Sequence, residues 1–239
     1  MRNKVMASFD EAVADIPDGM TIMIPGFAGP GTPRNLIAAL LRQGAKGITA
    51  RSNHPGASPS DQRVDLGALV EAGRVDKVIC AFTAAPHPSQ ATAFEKLYND
   101  GVVEGELVPQ GTLAERIRAA AAGIGAFYTR TAVGTELAEG KEHRAIDGKE
   151  YVLEYPLHAD YAFIRAYESD AFGNLQYRLS QRNFNPIMAM AAKHTIVEVE
   201  KDIVEIGAMD PDAVHTPGIC VERVVRIPKD GIWETLVYR

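Results

Sequence analysis

The stretch MTIMIPGFAGPGTPRNLIAALLRQGAKGITARSN, residues 20–53, decides the fold. Residues 20–24 are a short apolar run and read as a buried strand. A glycine-rich loop over residues 25–31 follows. Thr32 then stands as the helix N-cap, with Pro33 at the first helical position, where its missing N–H costs nothing. That helix is expected to end near Gln43-Gly44, and residues 48–51 form the next strand. Strand, loop, helix and parallel strand make the repeating unit of a sheet covered by helices.

The same alternation extends in both directions. Upstream, Ser8 with Glu11 makes a capping box that opens a short helix whose apolar face is Phe9, Ala12, Val13 and Ile16, and Pro17-Asp18-Gly19 is a turn. Downstream, residues 75–82 read as a strand, 89–98 as a helix and 104–108 as a strand. Pro109-Gln110-Gly111 is a stiff loop ahead of a helix to Ala122. Thr112 and Glu115 provide its capping box, and Gly123 or Gly125 its left-handed end. Gln110 is therefore presented at the positive end of a helix dipole. The later part is richer in strands, at residues 151–153, 161–166, 175–179 and 195–200, with a helix at 184–193. The expectation is one α/β domain over residues 1–239: an open, mostly parallel sheet with helices on both faces and a strand-rich C-terminal part.

Bulk properties restrict the function. Of 239 residues, 46% are apolar and 23% charged, as in ordinary globular proteins. The net charge of −6, with scattered Lys and Arg, argues against nucleic acid as a partner. Binding an anion stays open, because helix N-termini do that whatever the net charge. Cys80 and Cys220 sit in apolar runs, KVICAF and GICVERV, and read as small buried hydrophobes. They lack zinc-site spacing and suggest no disulfide framework. With no run of membrane-spanning length and no signal-peptide core, a reducing cytoplasm is the expected setting. No metal site is expected, since His143, His158, His194 and His215 occur in unrelated segments.

Three places carry chemistry. The loop GFAGPGTPR has the strand, glycines and helix start of an anion or carbonyl site, but matches neither the dinucleotide fingerprint nor the P-loop. Asn53 and His54 follow a strand at the carboxyl edge, where open α/β sheets hold ligands. Gln110 adds a second amide. Amides suit carboxylate and thioester oxygens because they donate without titrating, whereas a histidine also changes charge near neutral pH. Arg182, Asn183 and Asn185 in RNFNP are secondary candidates for contacting ligand or partner, since helix-start chemistry alone accounts for them.

PQGTLAERIRAAAAGIGAFYT, TAVGTELAEGKE and RNFNPIMAMAAK, with GFAGPGTPRNLI, KGITARSN, YVLEYPLHADYAFIRAY, IVEVE and HTPGICVERVV, come in an order and spacing that resemble the A (alpha) subunit of the family I coenzyme A transferases, of the 3-oxoacid, acetoacetate and acetate types. The likeness runs through nearly the whole chain. It implies that Gln110 and Asn53 position the reacting carboxylate and its oxyanion. By the same likeness, Gly26, Phe27, Ala28, Gly29, Gly31, His54 and Gly111 line the substrate site. It further implies that coenzyme A is a substrate rather than a permanent cofactor. The other substrates are an acyl-CoA, of the succinyl- or acetyl-CoA type, and a free carboxylic acid. The nucleophilic glutamate belongs to a partner B subunit, in an A–B pair often doubled. No Glu-x-Gly followed by the Gly-x-Gly-x-Ala-Phe block of that glutamate occurs here.

Two departures from the family pattern matter. Ser52-Asn53-His54-Pro55-Gly56 stands where the family has Ser-Asn-Asn-Ala-Gly, and residues 81–94, AFTAAPHPSQATAF with His87 between prolines, differ throughout. Two alternatives therefore stand beside the transferase: a subunit of a CoA-ester hydrolase or ring-cleaving lyase, and a ligand-binding protein of related architecture.

Overall fold

The computed structural model describes residues 2–27, 29–56, 64–83 and 91–231. The first half alternates as expected: α1 (Phe9–Val13), β1 (Thr21–Ile24), α2 (Arg34–Gln43), β2 (Ile48–Ser52), α3 (Leu66–Glu71), β3 (Val75–Cys80), α4 (Ala93–Asn99), β4 (Glu104–Leu107) and α5 (Gln110–Ala121). Three strands follow, β5 (Phe127–Thr129), β6 (His143–Ile146) and β7 (Lys149–Glu154), paired antiparallel in the order β5-β7-β6. The chain then adds β8 (Ala159–Ala166), the hairpin β9 (Glu168–Ser169) and β10 (Leu175–Gln176), α6 (Asn185–Ala191), β11 (Ala192–Val199) and β12 (Arg223–Arg226).

Seven strands form the main sheet in the order β12-β11-β8-β1-β2-β3-β4, and every neighbouring pair is parallel. The chain winds outward from β1 to β4, then crosses back and builds the other half from β8. Winding therefore reverses between β1 and β8, and the crevice at the carboxyl ends there is where such sheets hold ligands. Side chains alternate across the sheet. Ile22, Ile24, Val78 and Phe163 pack with residues of α1 to α4, whereas Met23, Ile79, Ala162 and Ile164 pack with those of α5 and α6. Helices thus cover both faces.

The helix starts differ from the sequence reading. At α1, Ser8 Oγ accepts from Glu11 N at 3.1 Å as expected, but the Glu11 carboxylate reaches back to Ala7 N rather than to Ser8. At α2 the N-cap residue is Pro33, and the buried Thr32 hydroxyl has no hydrogen-bond partner. Glu198 of β11 does the capping instead, accepting from Asn35 N at 2.9 Å and Leu36 N at 3.1 Å. At α5 the first helical bond closes from Leu113 N to Pro109 O at 2.8 Å, so the helix begins at Gln110. That places Thr112 inside it, where an N-cap's extended backbone is unavailable. Its hydroxyl is buried without a partner, and Glu115 pairs with Arg118. Gly123 takes the left-handed end, at φ +68°.

Other boundaries shift for tertiary reasons. The strand expected over 75–82 ends at Cys80, and that over 175–179 stops at Gln176, because Leu179 turns into a 3₁₀ helix, Leu179–Arg182, at φ +50°. The helix expected over 184–193 gives way to β11 at Ala192. Thr92 caps α4, its hydroxyl accepting from Glu95 N at 3.0 Å, so that helix starts later than residue 89, which lies outside the described residues. Cys80 is buried, and its thiol is pushed up to about 11 by that burial. Cys220 is only partly covered, on the 3₁₀ turn Gly218–Cys220, contrary to the reading of it as a core residue. No helix among the described residues is long and apolar enough to cross a membrane.

At the amino edge of the sheet Asp160 fastens the two sides of the reversal. It accepts from Thr21 N at 3.0 Å, Thr21 Oγ1 at 2.7 Å and Lys193 Nζ at 2.9 Å. Lys193 first, then the Thr21 donors, hold its carboxyl well below the usual carboxylate range. A depressed native pKa gives stability that is present above the unfolded value, about 4, and is lost as pH falls below it. Asp160→Ala is expected to lower Tm at pH 7, with its gap from the parent closing below about pH 4. A gap that stays constant with pH in thermal melts would assign Asp160 a packing role only.

Candidate active site

The loop after β1 is shaped by backbone that side chains would obstruct. Gly26 has φ +134°, and a Cβ there would lie 2.4 Å from Thr32 Oγ1; Gly31 has φ +79°, with Asn185 Nδ2 at 2.6 Å from the corresponding point. Two asparagines hold the loop from below. Asn183 Nδ2 donates to Pro30 O at 2.9 Å, and Asn185 Nδ2 to Gly31 O at 3.0 Å. Asn185 Oδ1 accepts from Arg165 N at 2.8 Å, which fixes the loop to β8. Asn183 and Asn185 are thus braces of the loop, while Arg182 is exposed at the end of its 3₁₀ turn.

Behind the loop lies a buried charge network that the sequence reading missed. Arg165, 1% exposed, donates from Nε to Glu200 Oε1 at 3.0 Å and from Nη1 to Glu198 Oε1 at 3.4 Å. Gln181 Nε2 also donates to Glu200, at 2.6 Å. Glu198 is fully buried; burial pushes its carboxyl up to about 7, against the pull of Arg165 and the donors at Asn35 and Leu36. The available signal was charge at alternate positions in apolar strands: Arg165 within AFIRA and Glu198 within IVEV.

The two amides meet. Asn53, just past β2, is 2% exposed, and its carbonyl accepts from Ala81 N at 3.1 Å. Gln110 opens α5 on the exposed side, and its Nε2 donates to Asn53 Oδ1 at 2.7 Å across 57 residues of sequence. Whichever amide donates, three amide N–H bonds remain after that contact, and no described residue accepts them. They stand beside the N-terminus of a 12-residue helix, where negative charge is favoured. Gly111 is exposed with nothing within 4 Å of its Cβ position, which leaves open space over that helix end.

His54 adjoins this pair. Its Nδ1 accepts from Gly56 N at 3.1 Å, and its Nε2 lies 3.7 Å from the Cβ position of Gly26. The structure therefore joins Asn53 to Gln110 and His54 to Gly26. Gly29 is buried at φ +120°, Phe27 is 49% exposed on the rim, and Ala28 and His87 lie outside the described residues. Among the described residues no group of three or more His, Cys, Asp or Glu is placed to hold a metal. His143 pairs with Glu150, His194 with Glu222, and His215 Nδ1 accepts from Tyr177 N.

A pair of amides thus stands at the carboxyl edge of a parallel sheet, beside a helix N-terminus. The coenzyme A transferase profile matches residues 6–226, and the chain belongs to that family. Within it, the chain is of the A-subunit type. It is 51% identical over 227 residues to the A subunit of the 3-oxoadipate CoA-transferase of Pseudomonas putida, covering 95% of both chains. It is 46% identical over 222 residues to the A subunit of the probable succinyl-CoA:3-ketoacid coenzyme A transferase of Bacillus subtilis, covering 93% of this chain and 89% of that one. Among solved structures, glutaconate coenzyme A-transferase from Acidaminococcus fermentans superposes with a TM-score of 0.79 at 25% identity, over 94% of this chain and 76% of that one.

Removing one partner of a buried ion pair strands the other, at a cost of about 3–5 kcal/mol. Glu198→Ala is expected to lose stability on that scale in urea unfolding, because it uncaps α2 and leaves Arg165 short of charge. Combining it with Arg165→Met is expected to recover much of the loss. Additive losses would mean the two residues act independently.

Proposed function

We propose that this chain is the A half of a two-subunit transferase that moves coenzyme A between an acyl-CoA of the succinyl- or acetyl-CoA type and a free 3-oxoacid. In this reading it works as one domain, in the cytoplasm, with coenzyme A as substrate and no resident cofactor. The nucleophilic glutamate comes from the B subunit. It attacks the thioester carbonyl, releases the CoA thiolate and forms a mixed anhydride. The thiolate then attacks the glutamyl carbonyl of the anhydride, which releases the donor carboxylate and leaves a glutamyl thioester. The incoming carboxylate displaces the thiolate to form a second anhydride. The thiolate attacks its acyl carbonyl, giving the new acyl-CoA and freeing the glutamate.

The observation that carries the reading is the Asn53–Gln110 amide pair with its uncommitted N–H donors at the start of α5. Each acyl transfer passes through an oxyanion, and fixed donors aimed at it lower the barrier without reorganising. Gly26, Phe27, Gly29, Gly31 and His54 form the acyl side, and Gly111 leaves room for the approaching group. Phe27 and Phe82, 49% and 42% exposed, give the same edge an apolar rim that suits closure by a partner.

Gln110→Ala is expected to lower kcat of the co-expressed A–B complex by about 10²–10³, with little change in Tm. Steady-state kinetics with parallel melting checks this, and a stability loss with near-normal turnover would make Gln110 structural. Once acyl-CoA has been added, mass spectrometry of the B subunit separates transfer from hydrolysis on the same fold. A glutamyl-CoA adduct is expected, and steady CoA release without one would favour a hydrolase. High transfer activity from this chain alone would overturn the division of the site.

A further inference from the structure

The helix that presents Gln110 is weakly anchored at its start. No side chain caps the first turn of α5, Gln110 and Gly111 are exposed, and the buried Thr112 hydroxyl has no hydrogen-bond partner. Leu113 and Ile117 are fully buried, but apolar contact is non-directional and does not fix how a helix slides or turns. The directional anchor is Arg116, roughly 9 Å along the axis from Gln110. Its Nε donates to Tyr155 O at 2.9 Å and its Nη1 to Glu106 Oε1 at 3.0 Å, while its own carbonyl accepts from Leu157 N at 2.9 Å. One residue thus pins the helix to β4 and to the segment leaving β7.

Arg116 is also the middle of a chain of charges. Glu154 on β7, 3% exposed, pairs with Lys141 and stands 3.9 Å from Arg116 Nε. Glu106 pairs with Lys77 on β3, at 3.5 Å, as well as with Arg116. Each carboxylate therefore lies between two cations, in the order Lys141, Glu154, Arg116, Glu106, Lys77. A cavity of about 550 Å³ opens beside the chain, lined by Glu106, Arg116, Lys141 and Glu154 with Leu107 and Tyr155. Side chains do not fill that space, so charge rather than packing ties α5 to the antiparallel sheet there. Lys141 belongs to the block TAVGTELAEGKE, which the transfer chemistry leaves without a role.

We propose that Arg116 is a positioning residue for the transfer: it holds α5 where Gln110 meets Asn53, with Lys141 acting behind it through Glu154. The inference rests on the transferase reading for what Gln110 does, and on the chain of charges for what sets its place. Without Arg116, Glu106 keeps Lys77 and Glu154 keeps Lys141, so no carboxylate is stranded, but the helix loses its directional tie. Without Lys141, the buried Glu154 pulls Arg116 away from Tyr155 and Glu106. Misplacing a catalytic group by about 1 Å costs up to about a hundredfold in rate. Neither residue touches substrate in this assignment.

The test uses the co-expressed A–B complex, with succinyl-CoA as donor and whichever of acetoacetate and 3-oxoadipate the parent turns over faster. Arg116→Met is expected to lower kcat about tenfold to a hundredfold with KM nearly unchanged. Arg116→Lys is expected to recover part of that, and Lys141→Met to lose less in the same direction. In a Gln110→Ala background, Arg116→Met is expected to cost less than about twofold, because no amide is left to misplace. An equal factor in both backgrounds overturns the proposal, as does a kcat that Arg116→Met leaves unchanged. The place of the amide is read without turnover from the NMR resonance of the isotope-labelled Gln110 side chain, assigned by its loss in Gln110→Ala. It is expected to move in Arg116→Met and Lys141→Met and to return towards the parent in Arg116→Lys; a resonance that stays fixed also overturns the proposal. Should Arg116→Met not assemble, Arg116→Lys and Lys141→Met carry both comparisons. If neither acid receives CoA while the resonance moves, the transferase reading fails and the positioning stands.

Discussion

The fold turns on a carboxylate from one strand that caps a helix from the other end of the chain. Glu198 on β11 takes the first free N–H groups of α2, 163 and 162 residues away in sequence, and is itself held by Arg165 on β8. A helix start left buried without acceptors would be costly, and so would a buried glutamate without donors. Each solves the other's problem. Because Asn185 ties the backbone of Arg165 to Gly31, the same network also fixes where the glycine loop sits. The wall formed by the glycine loop is therefore set by charges that never reach it.

The reversal of winding between β1 and β8 explains why the remaining site residues converge. The ends of β1, β2 and β4 open on the same edge, which brings the loop at 26–31, Asn53 and Gln110 together from separate segments. The resulting surface offers donors and an apolar rim rather than a reactive group. That is what the proposed role in positioning and charge stabilisation requires.

Local signals carried much of this into the sequence. The strands β1, β3 and β8 were legible as apolar stretches, and β2 and β4 from their place between helices in the alternation. The site segments were legible through the family blocks around Gly26, Asn53 and Gln110. What stayed hidden was set at long range. Thr32 and Thr112 look like caps by spacing, but Pro33 and Pro109 occupy the cap positions, and for α2 the acceptor comes from β11. The antiparallel sheet of β5, β6 and β7 is partly exposed and weakly patterned, so only the part of β7 over residues 151–153 showed in the sequence. The contact between Asn53 and Gln110 follows from topology, which periodicity does not encode.

The place of β1 in the sheet also bears on how the protein is made. Its partner β2 is synthesised at once, but its other neighbour, β8, lies 139 residues on at the Thr21–Asp160 clasp. A nascent N-terminal half thus carries an open, apolar strand edge until residue 166 has left the ribosome, and α2 lacks its cap until Glu198 has. Contacts this distant slow folding and leave unpaired edges free to aggregate. The central strand of the finished sheet is the one exposed longest during synthesis.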